Sequence, residues 1–322
     1  MRFFHALRLS VAMLRTLAFA SSFALIAPAM YAQNHEADQV VIDTDIGDDI
    51  DDAFAVGYAL HTPQFHLLGV TTTFGDTQLR AHLVMHLLQD AHAPAISVAA
   101  GAATKPDGPF TQAAYAHADT HTLSSASAVD LILAAARAHP HKVTLVALGP
   151  LFNVGAAIDR DPATFRLLKR VVLMGGSITR GYDDDPSGAN KPASEWNIRC
   201  DPAGARKLLA AGVPVYMMPL DSTQVPLSPA LSSKILSQQK GLDHAIAELV
   251  REAHKARPIL YDPVAMAYAD DPSVCPTQPM HIEVDDKGFT RRTAGTSNAN
   301  VCLKVDEAKF LRLFEQKLTS RR

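Results

Sequence analysis

The sequence predicts an α/β protein: an open, mostly parallel (mixed) sheet with helices on both faces. Two patterns predict it. From residue 40 to about residue 220, short apolar, β-branched runs alternate with segments of helical period, the rhythm of a parallel sheet. Polar residues gather where those runs end, at an Asp cluster after Ile42, at Asp76, Asn153, Asn190, Glu195, Asn197 and Asp221. Open α/β sheets bind ligands at the carboxyl ends of their strands, so such junctions on one edge build a polar pocket.

The elements follow in order. Val40-Val41-Ile42 is the first strand, Gly47 supplies turn geometry, and Ala53 to Leu60 is an apolar helix that stops near Pro63. Phe65 to Thr72 is the second strand and ends in Phe74-Gly75-Asp76-Thr77. Leu79 to Ala91 is an amphipathic helix and Ile96 to Ala99 a short third strand. Residues 101 to 127 break the rhythm and read as a lid or mouth loop, too long for an ordinary connection. Its His117 and His121 stand i, i+4, but no Glu lies between them in a zincin arrangement, and exposed loop histidines are the simpler reading. Val129 to His139 is a helix, Val143 to Leu148 a strand, and a helix then runs to about Ile158. Arg170 to Met174 is a strand, followed by a loop to Asn197, a helix from Pro202 to Ala211 and a strand from Val213 to Met218. A helical region, Ser228 to Arg257, is interrupted near Gly241, and Tyr261-Asp262-Pro263 opens another helix. Hairpin-like strands (Met280 to Val284, Thr290 to Arg292, Asn300 to Val305) and a helix, Glu307 to Leu318, complete the chain.

The chain has 322 residues, 48% hydrophobic, a mean hydropathy of +0.03 and a net charge of −3. That is the composition of a globular protein, and no basic tract suggests nucleic acid. Residues 1 to 32 read as a secretory signal: Arg2, Arg8 and Arg15 precede an apolar run from Leu17 to Ala29. The run is short for a membrane span, and no later stretch could span a bilayer. Residues 33 to 322 then form a single domain, exported, periplasmic in a Gram-negative source, with no membrane partner after signal removal. Cys200, Cys275 and Cys302 show no metal-ligand spacing, and an odd count argues against a full disulfide framework. A single bridge is compatible with an oxidising compartment.

Six aspartates (Asp43, Asp45, Asp48, Asp49, Asp51, Asp52) fall within ten positions at the first strand-to-helix turn. One or two would serve a helix N-terminus. Six repel each other unless a cation sits among them, and clustered carboxylates suit Ca²⁺ or Mg²⁺. An EF-hand loop fails, because no Glu follows at the required spacing.

The Asp-rich turn is followed in order by Leu148-Gly149-Pro150-Leu151-Phe152-Asn153, Val172-Leu173-Met174-Gly175-Gly176, Glu195-Trp196-Asn197-Ile198 and Asp262-Pro263-Val264-Ala265. Together they resemble the inosine-uridine-preferring nucleoside hydrolases, from about residue 39 to 318. The resemblance implies a nucleoside hydrolase-like fold and hydrolysis of the N-glycosidic bond of ribonucleosides to ribose and free base. It implies one Ca²⁺, a small-molecule ribonucleoside substrate and a homo-oligomer, dimer or tetramer. It further implies Asp45 as calcium ligand and general base for a metal-bound water. Asp52, the Phe152 carbonyl and Asp262 would be ligands, and Asp51 would bind the ribose 2′-hydroxyl. Met174, Asn190, Glu195, Asn197 and Asp262 would meet the ribose, and Asp76 would stand near the sugar.

Three departures from the family pattern are evident. Ile46 replaces the usual Pro of the turn, and two residues, Asp48-Asp49, are inserted before the helix. Aligning on the turn start makes Asp49 a metal ligand; aligning on the helix gives Asp51 and Asp52. The helix register is preferred, because its apolar face must pack. Tyr261 stands where many members have His, and the early His-Gly loop pattern is not evident. Leaving-group protonation therefore falls to Tyr261, or to His117 or His121. Two other readings compete: a non-catalytic exported Ca²⁺- and ribose-binding protein, and a phosphohydrolase with Asp43 as nucleophile.

Overall fold

Strand β1 (Asp38–Thr44) is an interior strand of the parallel sheet, and from Gln39 onward every residue of it is buried. Burial on both faces is what a Val-Val-Ile run with helices above and below produces. In the computed structural model, residues 37 to 319 are described, apart from 94, 107, 185 to 189 and 256. The expected leader, residues 1 to 32, lies outside the described residues.

The chain continues through α1 (Asp51–Leu60), β2 (Phe65–Thr72), α2 (Thr77–Asp90), β3 (Ser97–Ala100), α3 (Ala113–His117) and α4 (Ala128–Ala138). Next come β4 (Val143–Ala147), α5 (Phe152–Arg160), α6 (Pro162–Phe165), β5 (Arg170–Met174), α7 (Trp196–Cys200), α8 (Pro202–Ala210) and β6 (Val215–Met218). The last part holds α9 (Leu220–Thr223), α10 (Pro229–Leu236), α11 (Gly241–Glu252), α12 (Tyr261–Asp270), β7 (Gln278–Val284), β8 (Thr290–Thr293), β9 (Ala299–Val301) and α13 (Glu307–Thr319).

The described strands form one mixed sheet of nine, in the order β3-β2-β1-β4-β5-β6-β9-β7-β8. All pairings from β3 across to β9 are parallel; β7 runs antiparallel to both β9 and β8. The expected mostly parallel sheet is therefore observed. The winding reverses between β1 and β4, which are hydrogen-bonded neighbours, and a crevice at the carboxyl end of such a pair is the usual ligand position.

Apolar cores cover both faces. One includes Phe54, Ile246, Met266, Phe310 and Phe314, with the rings of Phe54 and Phe314 edge to face at 5.6 Å. The other includes Ile132, Phe165, Val171, Leu208 and Met217. Helix α1 is buried from Asp51 to Ala59, and α12 is buried from Asp262 to Ala269. These two helices hold their first turns at the sheet edge.

Differences from the expected elements are local. Helix α1 begins at Asp51, two residues early, because Asp51 and Asp52 form its first turn, where the helix dipole favours carboxylates. The short helices α6, α7 and α9 span four or five residues, too few to show a period. Strand β9 ends at Val301 because the next residue, Cys302, bonds to Cys275 with the Cα atoms 5.7 Å apart.

Candidate active site

Thr44, the last residue of β1, organises the turn that follows. Its hydroxyl accepts from the Ile46 N–H at 3.1 Å and donates to Asp52. Gly47 follows at φ +133°, and a Cβ there would stand 2.3 Å from the Phe110 ring. Only glycine takes both the conformation and the contact.

The buried cation of this turn is Arg80, from α2. Its Nε donates to the Phe74 carbonyl (2.8 Å) and its Nη2 to Asp48 (2.7 Å). Its Nη1 donates to the carbonyls of Ile46 (2.9 Å) and Asp45. Residues 111 and 112 of the expected mouth segment dock on the same turn. Thr111 Oγ1 donates to the Asp48 carbonyl (2.6 Å), and Gln112 donates to the carbonyls of Gly47 (3.0 Å) and Asp49 (2.9 Å). The inserted Asp48-Asp49 pair is thus a platform for that segment. Asp49, expected as a further metal ligand, accepts from the Ile50 N–H at 2.7 Å and from the Lys255 ammonium.

Past the insertion, α1 presents Asp51 and Asp52, and α12 presents Asp262. All three are buried, and an oxygen from each lies within 4.8 Å of the others. The Asp262 N–H points at Asp51 at 3.4 Å. Asp45 completes the group beside Gly149, where a Cβ would stand 2.6 Å from Asp45 Oδ1. Burial, and then neighbouring carboxylates, push Asp45, Asp51 and Asp262 well above the usual carboxylate range. Burial also raises Asp52, to about 6. Arg80 lowers Asp45 and Asp52, but its described hydrogen bonds go to backbone carbonyls and Asp48. Asp51, Asp52 and Asp262, with Asp45 beside them, could hold a divalent ion on hard oxygens.

These side chains line a cavity of about 480 Å³ at the carboxyl ends of β1, β4 and β5. Of the expected site residues, Asp45, Asp49, Asp51, Asp52, Met174, Glu195, Asn197, Tyr261 and Asp262 line it. Asn197 is fixed by donating to the carbonyls of Leu148 and Met174, the latter at 3.1 Å. Glu195 caps α7, accepting from the N–H groups of Asn197 (2.9 Å), Ile198 (3.1 Å) and Gly176 (2.9 Å). Its burial raises its pKa despite these bonds.

Other expected residues lie elsewhere. Asp76 is an exposed N-cap of α2, accepting from the Leu79 N–H at 3.0 Å, and does not line the cavity. Asn190 is exposed at φ +43° and is also off the lining. Phe152 opens α5 and is not among the residues lining the cavity, whereas Leu148 of the same turn is. His117 ends α3 exposed, and His121 pairs with Asp119 on the outside. Of the three expected leaving-group donors, only Tyr261 lines the cavity. Burial first, then Asp51, pushes its hydroxyl pKa upward, which makes it a weaker acid. Asp43 is fully buried, accepts from Thr71 (2.6 Å) and Asn153 (2.7 Å), and is off the lining. That placement removes it as a phosphohydrolase nucleophile.

The sequence reading missed Tyr182, Asp184 and Lys255, which also line the cavity. Tyr182 accepts from the Trp196 N–H at 3.0 Å and meets Tyr261 edge to face at 6.5 Å. None sits in a motif; only their positions in loops beside strand-end motifs could have marked them.

The model of the family "Inosine-uridine preferring nucleoside hydrolase" matches residues 40 to 312. The chain is 30% identical over 306 residues to a non-specific ribonucleoside hydrolase, RihC, of Salmonella agona, covering 84% of this chain and 94% of that protein. The fold is similar to that of a solved plant nucleoside hydrolase, PpNRh1, with a TM-score of 0.78 and 23% identity, covering 88% of this chain and 100% of that one. It is also similar to a purine-preferring ribonucleoside hydrolase from Gardnerella vaginalis, with a TM-score of 0.75 and 24% identity, covering 87% and 98%.

Proposed function

The chain belongs to the inosine-uridine preferring nucleoside hydrolase family and is a hydrolase of nucleoside N-glycosidic bonds; from that premise we propose that it cleaves ribonucleosides to ribose and free base with calcium as cofactor. The observation that carries this reading is the set of buried oxygens from Asp51, Asp52 and Asp262, within 4.8 Å of one another on a cavity wall. Asp52, Asp262 and Asp45 would hold the ion. A bound divalent cation supplies positive charge that acidifies an attacking water and binds sugar hydroxyls.

The chain's own residues do the rest. Asp45 takes the proton of the attacking water, the task of a carboxylate general base. Asp51 and Asn197 orient the ribose, and Glu195 holds α7 so that Asn197 stays in place. Sugar orientation is the entropic part of the rate. Positive charge that builds on the sugar in an oxocarbenium-like transition state faces this wall of carboxylates.

Export remains part of the proposal. The Cys275–Cys302 bridge supports it, because such bonds persist in oxidising compartments.

The test is incubation of the purified protein with inosine, uridine, adenosine, cytidine and 2′-deoxyuridine, with and without chelator, reading reducing-sugar release. Release from ribonucleosides that stops on calcium removal and returns on re-addition is expected. No ribose from any of them, in the presence of calcium, refutes the reading. A site that binds the 2′-hydroxyl should discriminate against 2′-deoxyuridine by roughly 10⁴-fold.

A further inference from the structure

Among the described residues lining the cavity, Lys255 is the only Lys or Arg, facing eight carboxylates. Its side chain is 47% exposed, whereas Asp51, Asp52 and Asp262 are each 5% exposed or less. The lysine therefore stands at the open end and the acids at the closed end. Its position is built rather than incidental. Helix α11 ends at Glu252, and His254, at φ +51°, turns the chain just before Lys255. The ammonium pairs with Asp49, whose other oxygen is held by the Ile50 N–H and whose carbonyl is held by Gln112. Thus Asp49 is tied through one carboxylate oxygen and its own carbonyl, and carries a cation on its other oxygen.

A ribose seated on the closed end sends its base toward the open end, where Tyr182, Trp196, Tyr261 and Lys255 line the cavity. Cleavage leaves the electron pair of the C1′–N bond on the base, whose negative charge spreads to its ring and exocyclic heteroatoms. Among the described side chains lining the cavity, Lys255 is the only Lys or Arg that can meet that charge.

Resting on the nucleosidase reading above, we propose that Lys255, positioned by Asp49, is the cation that receives the departing nucleobase. The steps balance without further reactants. Water's oxygen bonds to C1′ and its proton passes to Asp45. The C1′–N pair leaves with the base, which departs as an anion hydrogen-bonded to the Lys255 ammonium and takes a proton from solvent. Lys255 is a catalytic residue in this scheme and Asp49 a positioning residue.

The experiment compares uridine and inosine with 4-nitrophenyl β-D-ribofuranoside, whose phenolate leaves without assistance. The readout is the ratio of kcat/KM for the aryl riboside to that for each nucleoside, which is independent of the fraction of enzyme folded. Lys255→Met should raise that ratio by about tenfold or more, the scale of a lost charge-stabilising donor. Lys255→Arg should restore part of it, and Asp49→Asn should move it the same way by less. An active parent whose ratio Lys255→Met leaves unmoved overturns this proposal alone. A parent inert on all three substrates overturns the nucleosidase reading and this proposal with it.

Discussion

Thr44 and Asp52 are bonded through the threonine hydroxyl, so the end of β1 orients a carboxylate in the first turn of α1. The same hydroxyl accepts from the Ile46 N–H, which leaves its proton directed at Asp52. Thr44→Val keeps the shape and removes the hydroxyl. Partners that orient a metal ligand are worth 10- to 100-fold in metal affinity. Titration of Thr44→Val with calcium should therefore show affinity weakened by ~10- to 100-fold, while saturating calcium recovers most of the activity.

Asp45→Asn should lower kcat by ~10²- to 10⁴-fold, the contribution of a general base. Asn is nearly isosteric, so it still fits beside Gly149. Equal kcat for parent and variant in steady-state assays would remove Asp45 from proton transfer.

Arg80→Met should destabilise the fold by ~3–5 kcal/mol, the cost of breaking a buried charge arrangement by deleting one partner. Arg80 is 2% exposed, and its guanidinium bonds to three carbonyls and Asp48. Denaturant melts measure the loss. Hydrogen exchange should locate it at residues 45 to 50 and 108 to 112.

Metal-free protein should lose stability as pH rises. Burial raises the folded pKa of Asp43 to about 6 from an ordinary 3.8. The folded state therefore holds a proton that the unfolded state has released. This contribution is fully present below about pH 4 and is lost as pH rises through 6. Asp43→Asn cannot ionise, so relative to the parent it should gain about 3 kcal/mol between pH 4 and pH 8 in chelator. Parallel stability-against-pH curves for the two proteins would refute this.

Replacing Cys275 and Cys302 together by Ala should cost ~3 kcal/mol, since the bridge closes a loop of 27 residues. Denaturant midpoints under oxidising and reducing conditions measure it. The double variant should show no difference between them.

Most of the scaffold is legible in the sequence for a physical reason. Strands buried on both faces must be apolar runs, and Phe65–Thr72 and Arg170–Met174 appear with the expected bounds. The helix register that sets Asp51 and Asp52 against Asp262 is likewise readable, because Ala53, Phe54 and Val56 have to pack. Asp76 is misread because a helix cap and a sugar ligand call for the same residue type. The Gly-Pro turn marks a strand end but not which of its residues lines the cavity: Leu148 does, its carbonyl accepting from Asn197, and Phe152 does not. The pairing of Asp49 with Lys255 spans 206 residues and leaves no local pattern.

Asp51 and Asp262, in contact in the cavity wall, are 211 residues apart in the chain. During synthesis the first half of this site waits for most of the protein to leave the ribosome. A chain interrupted anywhere before residue 262 carries the acidic turn without the carboxylate that faces it. A cation that needs both carboxylates would be acquired only by a chain in which the starts of α1 and α12 have already met.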